Sequence, residues 1–160
     1  MTDPKPPGTK SNARKSTATR SGSKGRDMRG RNLEHVNLST DNLSGAQLEQ
    51  ARLKDATLKE TTLNSANLAG ADLTRADLGG ADLGGADLTD AVLQEADVRD
   101  ANLSHSDLRG ADLRGANLTG ANPQDADVAE DAQFAGARGL TDEQRTALTE
   151  KRARLDESDE

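Results

Sequence analysis

The chain contains no cysteine, tryptophan, tyrosine or isoleucine, and its single aromatic residue is Phe134. The lack of cysteine excludes disulfide bonds, thiolate metal sites and a cysteine nucleophile. The lack of aromatic residues excludes surfaces that bind bases, sugars or cations by stacking. No apolar run approaches the roughly 18 residues that cross a bilayer, or the shorter core of a signal peptide, so we expect a cytoplasmic protein.

Strongly hydrophobic residues are scarce. Leu, Val and Phe together account for 25 of 160 residues, whereas 28 acidic and 21 basic side chains give a net charge of −7. Fewer than about 20% strong hydrophobes is typical of a disordered chain. The length allows one domain. Composition alone therefore predicts disorder rather than a globule.

A five-residue repeat contradicts that prediction. Beginning at Leu33, every fifth residue over eighteen consecutive positions is leucine, with Val98 as the exception. From Ala46 to Ala126, the position two residues before each centre is alanine except at Thr61 and Ser106, and the residue just before the centre is mostly Asp or Asn. The unit reads Ala-Asp/Asn-Leu-x-x, and regular repetition of this kind indicates a solenoid.

A five-residue period fits neither an α-helix nor a straight β-strand. On a helix the leucines would spiral around every side, and on a straight strand they would alternate between faces. If each repeat is instead a short extended piece followed by a corner, Ala and Leu share an inner face and the Asp or Asn between them faces water. Glycines two residues after many of the leucines favour such corners, as at Gly45, Gly70, Gly80, Gly85, Gly110, Gly115 and Gly120.

The runs Ala-Asp-Leu-Thr-Arg, Ala-Asp-Leu-Gly-Gly and Ala-Asn-Leu-Thr-Gly resemble the pentapeptide repeat family, whose unit is A(D/N)LXX. The resemblance covers residues 27–140. It implies an all-β solenoid, a right-handed quadrilateral β-helix with four repeats per coil. Twenty-one repeats, centred on Met28 through Val128, then make about five coils.

The N-terminal segment has a different composition. Nine basic and two acidic residues precede residue 32, whereas the rest of the chain carries twelve basic and twenty-six acidic residues. We expect residues 1–26 and 156–160 to be disordered. The basic tail is interpreted as a contact arm for nucleic acid or an acidic surface, as a solvated tail that lies transiently on its own acidic rod, or as a transit peptide.

The C-terminal end of the repeats is irregular. Pro123 takes a leucine position and Asp131 shifts the frame by one residue, so that Phe134 is expected to plug the end of the leucine column. The segment Thr141-Asp-Glu-Gln144 has the form of a capping box, which predicts a helix over residues 141–155. The helix either caps the solenoid or forms a dimer contact, and its few apolar residues favour the cap.

Few residues of the sequence are candidates for catalysis. His35 and His105 are expected at exposed corners on different faces, which argues against a metal site. Inside the solenoid, Thr61 and Ser106 replace alanine and are expected to bond to the backbone rather than act as nucleophiles. The glycine-rich run 79–85 lacks the Lys-Ser/Thr of a phosphate loop. We predict no enzyme activity, no cofactor, no metal and no small-molecule substrate.

The acidic residues form a pattern. With twenty residues per coil, Asp87, Asp107 and Asp127 stack in one column, opposed only by Arg109. This face is a candidate docking site for a basic partner, because like charges about 5 Å apart repel unless they are compensated. Alternatively, Asp and Asn serve the geometry of the corners and the charge is a by-product. The candidate docking residues are Glu49, Asp87, Asp90, Asp107, Asp127 and Glu130.

These patterns predict a non-enzymatic, rigid, acidic rod that acts as a protein-binding or scaffold module, either as a monomer or as a dimer through the C-terminal helix. The family resemblance implies an alternative, a DNA mimic that binds and inhibits DNA gyrase and topoisomerase IV and lowers quinolone sensitivity. The uniform leucine centres and the absence of a loop insertion depart from those family members. A second alternative is contact with nucleic acid or an acidic surface through the basic tail.

Overall fold

The computed structural model describes residues 25–128, 131–151 and 153–155. The disorder expected for residues 1–26 and 156–160 falls outside these ranges except at Gly25 and Arg26. The backbone carbonyl of Arg26 accepts a hydrogen bond from the N–H of Gln47 at 2.9 Å, so the ordered stack already includes this residue.

The chain forms a β-helix solenoid built from single parallel bridges rather than from long strands. Up to the pair of Asp107 and Asp127, each bridged residue pairs with the residue twenty positions later, as Asp87 does with Asp107. A five-residue repeat therefore places four repeats in each coil and gives the solenoid four faces. The bridged columns define them: face 1 contains Asp27, Gln47, Asn67, Asp87, Asp107 and Asp127; face 2 contains Asn32, Arg52, Asp72, Val92, Asp112, Gln133 and Arg154; face 3 contains Asn37, Thr57, Asp77, Asp97, Asn117 and Arg138; face 4 contains Asn42, Thr62, Asp82, Asn102 and Asn122.

Two backbone hydrogen bonds recur at each bridge and join successive coils. Leu88 N–H donates to the carbonyl of Asp107 in the next coil at 2.8 Å, and Asp107 N–H donates back to the carbonyl of Ala86 at 2.9 Å. The six bridged residues of face 1 stand about 4.8 Å apart, so this face is about 24 Å long. The right-handed sense of the coils stays a prediction.

The leucines and alanines point inward, as the repeat predicts. The leucines from Leu43 to Leu118, together with Val98, are almost completely buried, and so are the alanines two residues before them. In the first coil, Leu33 and Val36 are only partly buried. One contiguous apolar column therefore stabilises the rod, and no single coil could bury it alone.

Corners are made with and without glycine. Gly85 and Gly110 have positive φ, and so do the non-glycine corner residues Asp90 and His105, at 56° and 57°. Glycine adopts this left-handed conformation without the strain that a Cβ introduces. The glycine preference of the sequence thus reflects a conformation that every corner shares.

The register changes near the C-terminal end, as the extra residue in the sequence predicts. Asp112 pairs with Gln133, twenty-one rather than twenty positions later, and Asp131 has a positive φ of 75°. Phe134 is buried, as expected for a residue at the end of the core. The chain continues beyond it, however, and Phe134 N–H donates to the carbonyl of Arg154 in the following layer at 2.6 Å. Phe134 is therefore not the terminal plug that the sequence predicts.

Helix α1 spans Asp142–Glu150. Its N-cap is Thr141, and the side chains and backbones of Thr141 and Gln144 form a capping box. The prediction of a helix as far as residue 155 is wrong, because the chain leaves the helix after Glu150 and Arg154 joins the face 2 column.

Candidate functional site: an acidic face

Face 1 brings together three of the predicted docking residues. Asp87, Asp107 and Asp127 are bridged in sequence and occupy consecutive coils of one column. Glu49 and Asp90 lie at the corner positions that follow the face 1 bridges. Glu130, the sixth predicted residue, lies outside the described residues. We use the term acidic face for the face 1 bridged residues and the two corner residues after each of them.

The acidic face is the most negative side of the rod. Among its described residues, six acids stand against Arg29 and Arg109, a net charge of −4. On face 2, from Asn32 to Gly115, five acids stand against four cations, a net charge of −1. The described bridged and corner residues of face 4, which adjoins the acidic face, include no lysine or arginine. The negative charge is therefore concentrated on one side.

The bridged aspartates also have a structural role. Asp87 Oδ1 accepts hydrogen bonds from the backbone N–H of Thr89 at 3.0 Å and from its hydroxyl at 2.7 Å. Asn67 Oδ1 accepts the equivalent bond from Ala69 N–H at 3.0 Å. Because an amide oxygen replaces a carboxylate in this turn, the local geometry requires an acceptor but not a charge. The charge itself is thus free to serve another purpose.

Arg109 lies between two carboxylates of the column. Its Nε donates to Asp107 Oδ1 at 2.9 Å and lies 3.9 Å from Asp127 Oδ2. The side-chain hydrogen bond from Arg109 lowers the pKa of Asp107, and the same bond raises the pKa of Arg109. Part of the column's negative charge is therefore already neutralised within the protein.

Asp27 and Arg29 repeat this arrangement at the other end of the acidic face. Arg29 Nε and Nη2 donate to the two carboxylate oxygens of Asp27 at 3.0 and 2.8 Å. These side-chain hydrogen bonds lower the pKa of Asp27 to about 2. Sequence reasoning missed these pairs, although an Asp-x-Arg spacing marks them. The spacing occurs at Asp27 and Arg29, Asp97 and Arg99, Asp107 and Arg109, and Asp112 and Arg114, and each arginine donates to its aspartate.

The side chains of Glu49 and Asp90 lie against neighbouring residues of the acidic face. Glu49 Oε1 accepts a hydrogen bond from Asn67 Nδ2 at 2.9 Å, and its Oε2 is buried without a hydrogen-bond partner among the described residues. The carboxylate of Asp90 lies over Gly110, where an added Cβ would meet Asp90 Oδ1 at 2.1 Å. A pocket of about 300 Å³ is lined by Thr89, Asp90, Arg109, Gly110 and Asp131.

The other candidate residues lie elsewhere. His35 follows the face 2 column and His105 the face 4 column, and both are exposed. Within the ranges that the structure describes, no group of His, Cys, Asp and Glu is arranged to hold a metal ion. Thr61 Oγ1 donates to the carbonyl of Leu38 at 2.9 Å and Ser106 Oγ to that of Leu103 at 2.7 Å, as predicted.

Comparison with solved structures finds similar chains. A pentapeptide repeat protein, Rfr23, from the cyanobacterium Cyanothece 51142 is 29% identical, with a TM-score of 0.64, over 82% of this chain and 92% of that one. A pentapeptide repeat protein from the Arabidopsis thaliana thylakoid lumen is also 29% identical, with a TM-score of 0.45, over 82% and 83%. QnrB1, a plasmid-mediated fluoroquinolone resistance protein, is 17% identical in a trypsin-treated form, with a TM-score of 0.42, over 73% and 77%.

The class is thus a five-residue-repeat β-helix whose polar faces are carried on a leucine core. The family model for pentapeptide repeats matches eight copies, at residues 27–59, 42–80, 71–110 and 99–128. The chain belongs to the pentapeptide repeat family. No curated protein matches the sequence. Within the described ranges, no helix is long and apolar enough to cross a membrane.

Proposed function

We propose that the protein is a non-enzymatic binding module whose acidic face docks a basic surface of another protein. The observation that carries this proposal is the column of Asp87, Asp107 and Asp127, which the bridges hold at a fixed spacing on a side with net charge −4. Complementary charge steers association and selects the partner more than it adds affinity. A rigid column also spares the loss of backbone entropy that a flexible acidic segment incurs on binding.

A defined set of variants tests the acidic face. The variant Asp87→Asn/Asp107→Asn/Asp127→Asn removes three charges and retains the side-chain oxygen that the turns need, because Asn already occupies this position at Asn67. The matched control is Asp72→Asn/Asp77→Asn/Asp97→Asn, which removes three charges from faces 2 and 3.

Proteins that bind the full-length chain are captured from the source cell, identified, purified and titrated against both variants. We expect the face 1 variant to lose at least about tenfold in affinity at low salt and the control to lose less than about threefold. Equal losses in the two variants, or a dissociation constant independent of salt, would contradict docking through the acidic face.

DNA mimicry is the second candidate function. A column of carboxylates resembles a row of phosphates to a basic groove. The carboxylates of Asp87, Asp107 and Asp127 follow one another on face 1 without a change of register. The Asp107–Arg109 ion pair lowers the charge that such a groove would meet. A supercoiling assay with purified DNA gyrase decides this candidate: inhibition that the face 1 variant loses supports it, and no inhibition at micromolar protein rejects it.

We further propose that the module is a monomer. Leu148, the buried residue of α1, packs into the protein's own core, and Lys151 Nζ donates to the carbonyl of Ala126 at 2.8 Å. A helix engaged in this way leaves few apolar side chains for a partner copy. Light scattering should give the mass of one chain, 16.8 kDa, and a mass of two chains would favour the helix dimer.

A further inference from the structure

The first coil, residues 26–45, has ladder groups that lack partners among the described residues. In the second coil, Arg52 N–H donates to the carbonyl of Arg31 at 2.9 Å, and the Arg52 carbonyl accepts the N–H of Leu33 at 2.7 Å. The equivalent residue of the first coil, Asn32, makes neither bond with any residue that the structure describes. We use the term open edge for the four bridged residues of the first coil that share this property, Asp27, Asn32, Asn37 and Asn42.

The apolar column also reaches this end of the rod. Leu33 and Val36 are partly buried, whereas Leu53 and Ala56, twenty positions later, are almost completely buried. Two such ends related by a twofold axis run antiparallel, so that each open-edge residue can exchange its N–H and C=O with the other molecule. Unpaired edges of this kind are the template on which a second β chain adds. The end therefore has the backbone groups and apolar surface that pairing with a second copy needs.

Charged residues occupy the inner positions of this coil. In later coils, the residue before each bridged residue is nearly always a buried alanine, as at Ala51. In the first coil, both arginines at these positions are exposed and the aspartate is half-buried. The four residues are Arg26, Arg31, Val36 and Asp41.

The backbone at these positions keeps the register of the stack. The carbonyl of Arg31 accepts a hydrogen bond from Arg52 N–H at 2.9 Å, and the carbonyl of Ala51 accepts the same bond from Asp72 N–H at 3.0 Å. The carbonyl of Asp41 likewise accepts the N–H of Thr62 at 3.0 Å. The first coil therefore differs from the later coils in its inner side chains rather than in its ladder.

These charges oppose pairing of two N-terminal ends. Closing the ends on each other would enclose Arg31 and Asp41 between apolar surfaces, away from water. A charge buried without a partner is unfavourable, and an ion pair between the two molecules recovers the loss of water only with excellent geometry. Alanine at the same positions carries no such cost. At the other end of the rod, α1 covers the edge, and Lys151 Nζ donates to the carbonyl of Ala126.

We infer that Arg26, Arg31 and Asp41 keep the open edge from pairing with a second copy of the chain. The inference goes beyond the docking function, because it does not depend on what the acidic face binds. It supplies a physical cause for the monomer proposed above. A dimer through α1 would double the mass of every variant alike, so the test compares variants with the unsubstituted chain.

Replacing the three charged residues by alanine tests the inference. Arg26→Ala/Arg31→Ala/Asp41→Ala restores the residue that the later coils hold at these positions. Its matched control, Lys54→Ala/Lys59→Ala/Glu60→Ala, also removes two cations and one acid, but from outer positions of the second coil. Light scattering on the full-length chain should show the average mass of the first variant rising about twofold with concentration, and that of the control unchanged. Adding Val36→Lys to the first variant should abolish the rise.

Amide hydrogen exchange locates the contact. The N–H groups of Asn32, Asn37 and Asn42 should exchange rapidly in the unsubstituted chain and at least about tenfold more slowly in the associated variant. Asn102 N–H, which donates to the carbonyl of Ala81 at 2.9 Å, should stay protected in every variant and shows that the fold is retained.

Four outcomes would overturn the inference. These are no gain in mass in the first variant, an equal gain in the control, association without protection of the three asparagine amides, and protection of those amides in the unsubstituted chain. The last outcome would show that the open edge is already covered.

Discussion

Gln144 Nε2 donates a hydrogen bond to the backbone carbonyl of Ala121 at 3.1 Å. In the preceding coil, the equivalent carbonyl of Ala101 accepts the backbone N–H of Asn122 at 2.9 Å. A helix side chain therefore replaces the ladder donor that the next coil would have supplied. Lys151 Nζ does the same for the carbonyl of Ala126, so α1 closes two faces of the solenoid and satisfies edge acceptors that strands leave open.

The first prediction concerns this cap. Gln144→Ala removes the bond to Ala121 and the capping-box bond that Gln144 Oε1 accepts from Thr141 N–H, whereas the bond from the backbone N–H of residue 144 to Thr141 Oγ1 remains. The substitution should lower the free energy of unfolding by about 1–3 kcal/mol. Urea unfolding followed by circular dichroism measures the change. Glu143→Gln, at an exposed neighbouring position, should change it by less than about 1 kcal/mol. Equal effects of the two substitutions would show that Gln144 does not fasten the helix.

The second prediction concerns the leucine column. Leu88 is completely buried in the central part of the rod, so Leu88→Ala leaves a cavity and should cost about 2–5 kcal/mol. Leu33 in the first coil is only partly buried, and Leu33→Ala should cost distinctly less. Denaturant midpoints and m-values of both variants provide the comparison. A larger loss at Leu33 than at Leu88 would contradict the internal column.

The third prediction concerns close backbone approach just after the last bridged residue of face 3. Gly139 has φ +83°, and an added Cβ would lie 2.4 Å from Thr119 N and 2.5 Å from Thr119 Cα. Because backbone atoms cannot move aside as a flexible side chain can, Gly139→Ala should cost about 2 kcal/mol or more. Gly45 has φ +63° and no atom within 4 Å of an added Cβ, so Gly45→Ala tests left-handed strain alone. Similar melting temperatures for the two variants would exclude the proposed clash.

The fourth prediction concerns acid pH. Hydrogen bonds from Arg109 and Arg99 lower the pKa of Asp107 and Asp97 respectively. A carboxyl whose pKa is lower in the folded state binds fewer protons than in the unfolded state. Its contribution to stability is therefore present above the unfolded pKa of about 3.9 and is lost as the pH falls through the folded pKa.

Arg109→Gln should raise the pKa of Asp107 toward that unfolded value and make the protein unfold at a higher pH on acidification. Carboxyl carbon NMR titration reports the pKa, and circular dichroism reports unfolding. Arg99→Gln on face 3 is the control and should shift Asp97 but not Asp107. If Asp107 titrates identically in both variants, Arg109 does not set its charge.

Much of the fold follows from the repeat. The buried side chains of Leu88 and Ala86 and the one-residue shift at Asp131 could be predicted, because each depends on which residue occupies which position of the repeat. The acidic column could be predicted for the same reason, once the coil length was known. The Asp107–Arg109 ion pair could also be predicted from its Asp-x-Arg spacing. A count of charges on each face does not show it, because such a count does not say which side chains form ion pairs.

The ends of the molecule could not be predicted in the same way. The sequence predicts helix to residue 155, yet Arg154 leaves the helical path and extends the face 2 column under Gln133. Local helix signals carry no information about ladder acceptors that become available only when the coils stack. Likewise, the sequence marks Lys151 only as a cation at the end of a helix. Its hydrogen bond to the carbonyl of Ala126 depends on the position of the stacked coil.

The sequence by itself determined the inner and outer positions of the repeat, because a five-residue period has one arrangement that buries every leucine. Only the tertiary structure decided how the charges combine and how the rod is closed. Arg109 reaches Asp127 because twenty residues of chain return to the same face, and Gln144 reaches Ala121 because a helix lies across a stacked edge. Contacts between residues distant in sequence depend on this stacking, which no single repeat encodes.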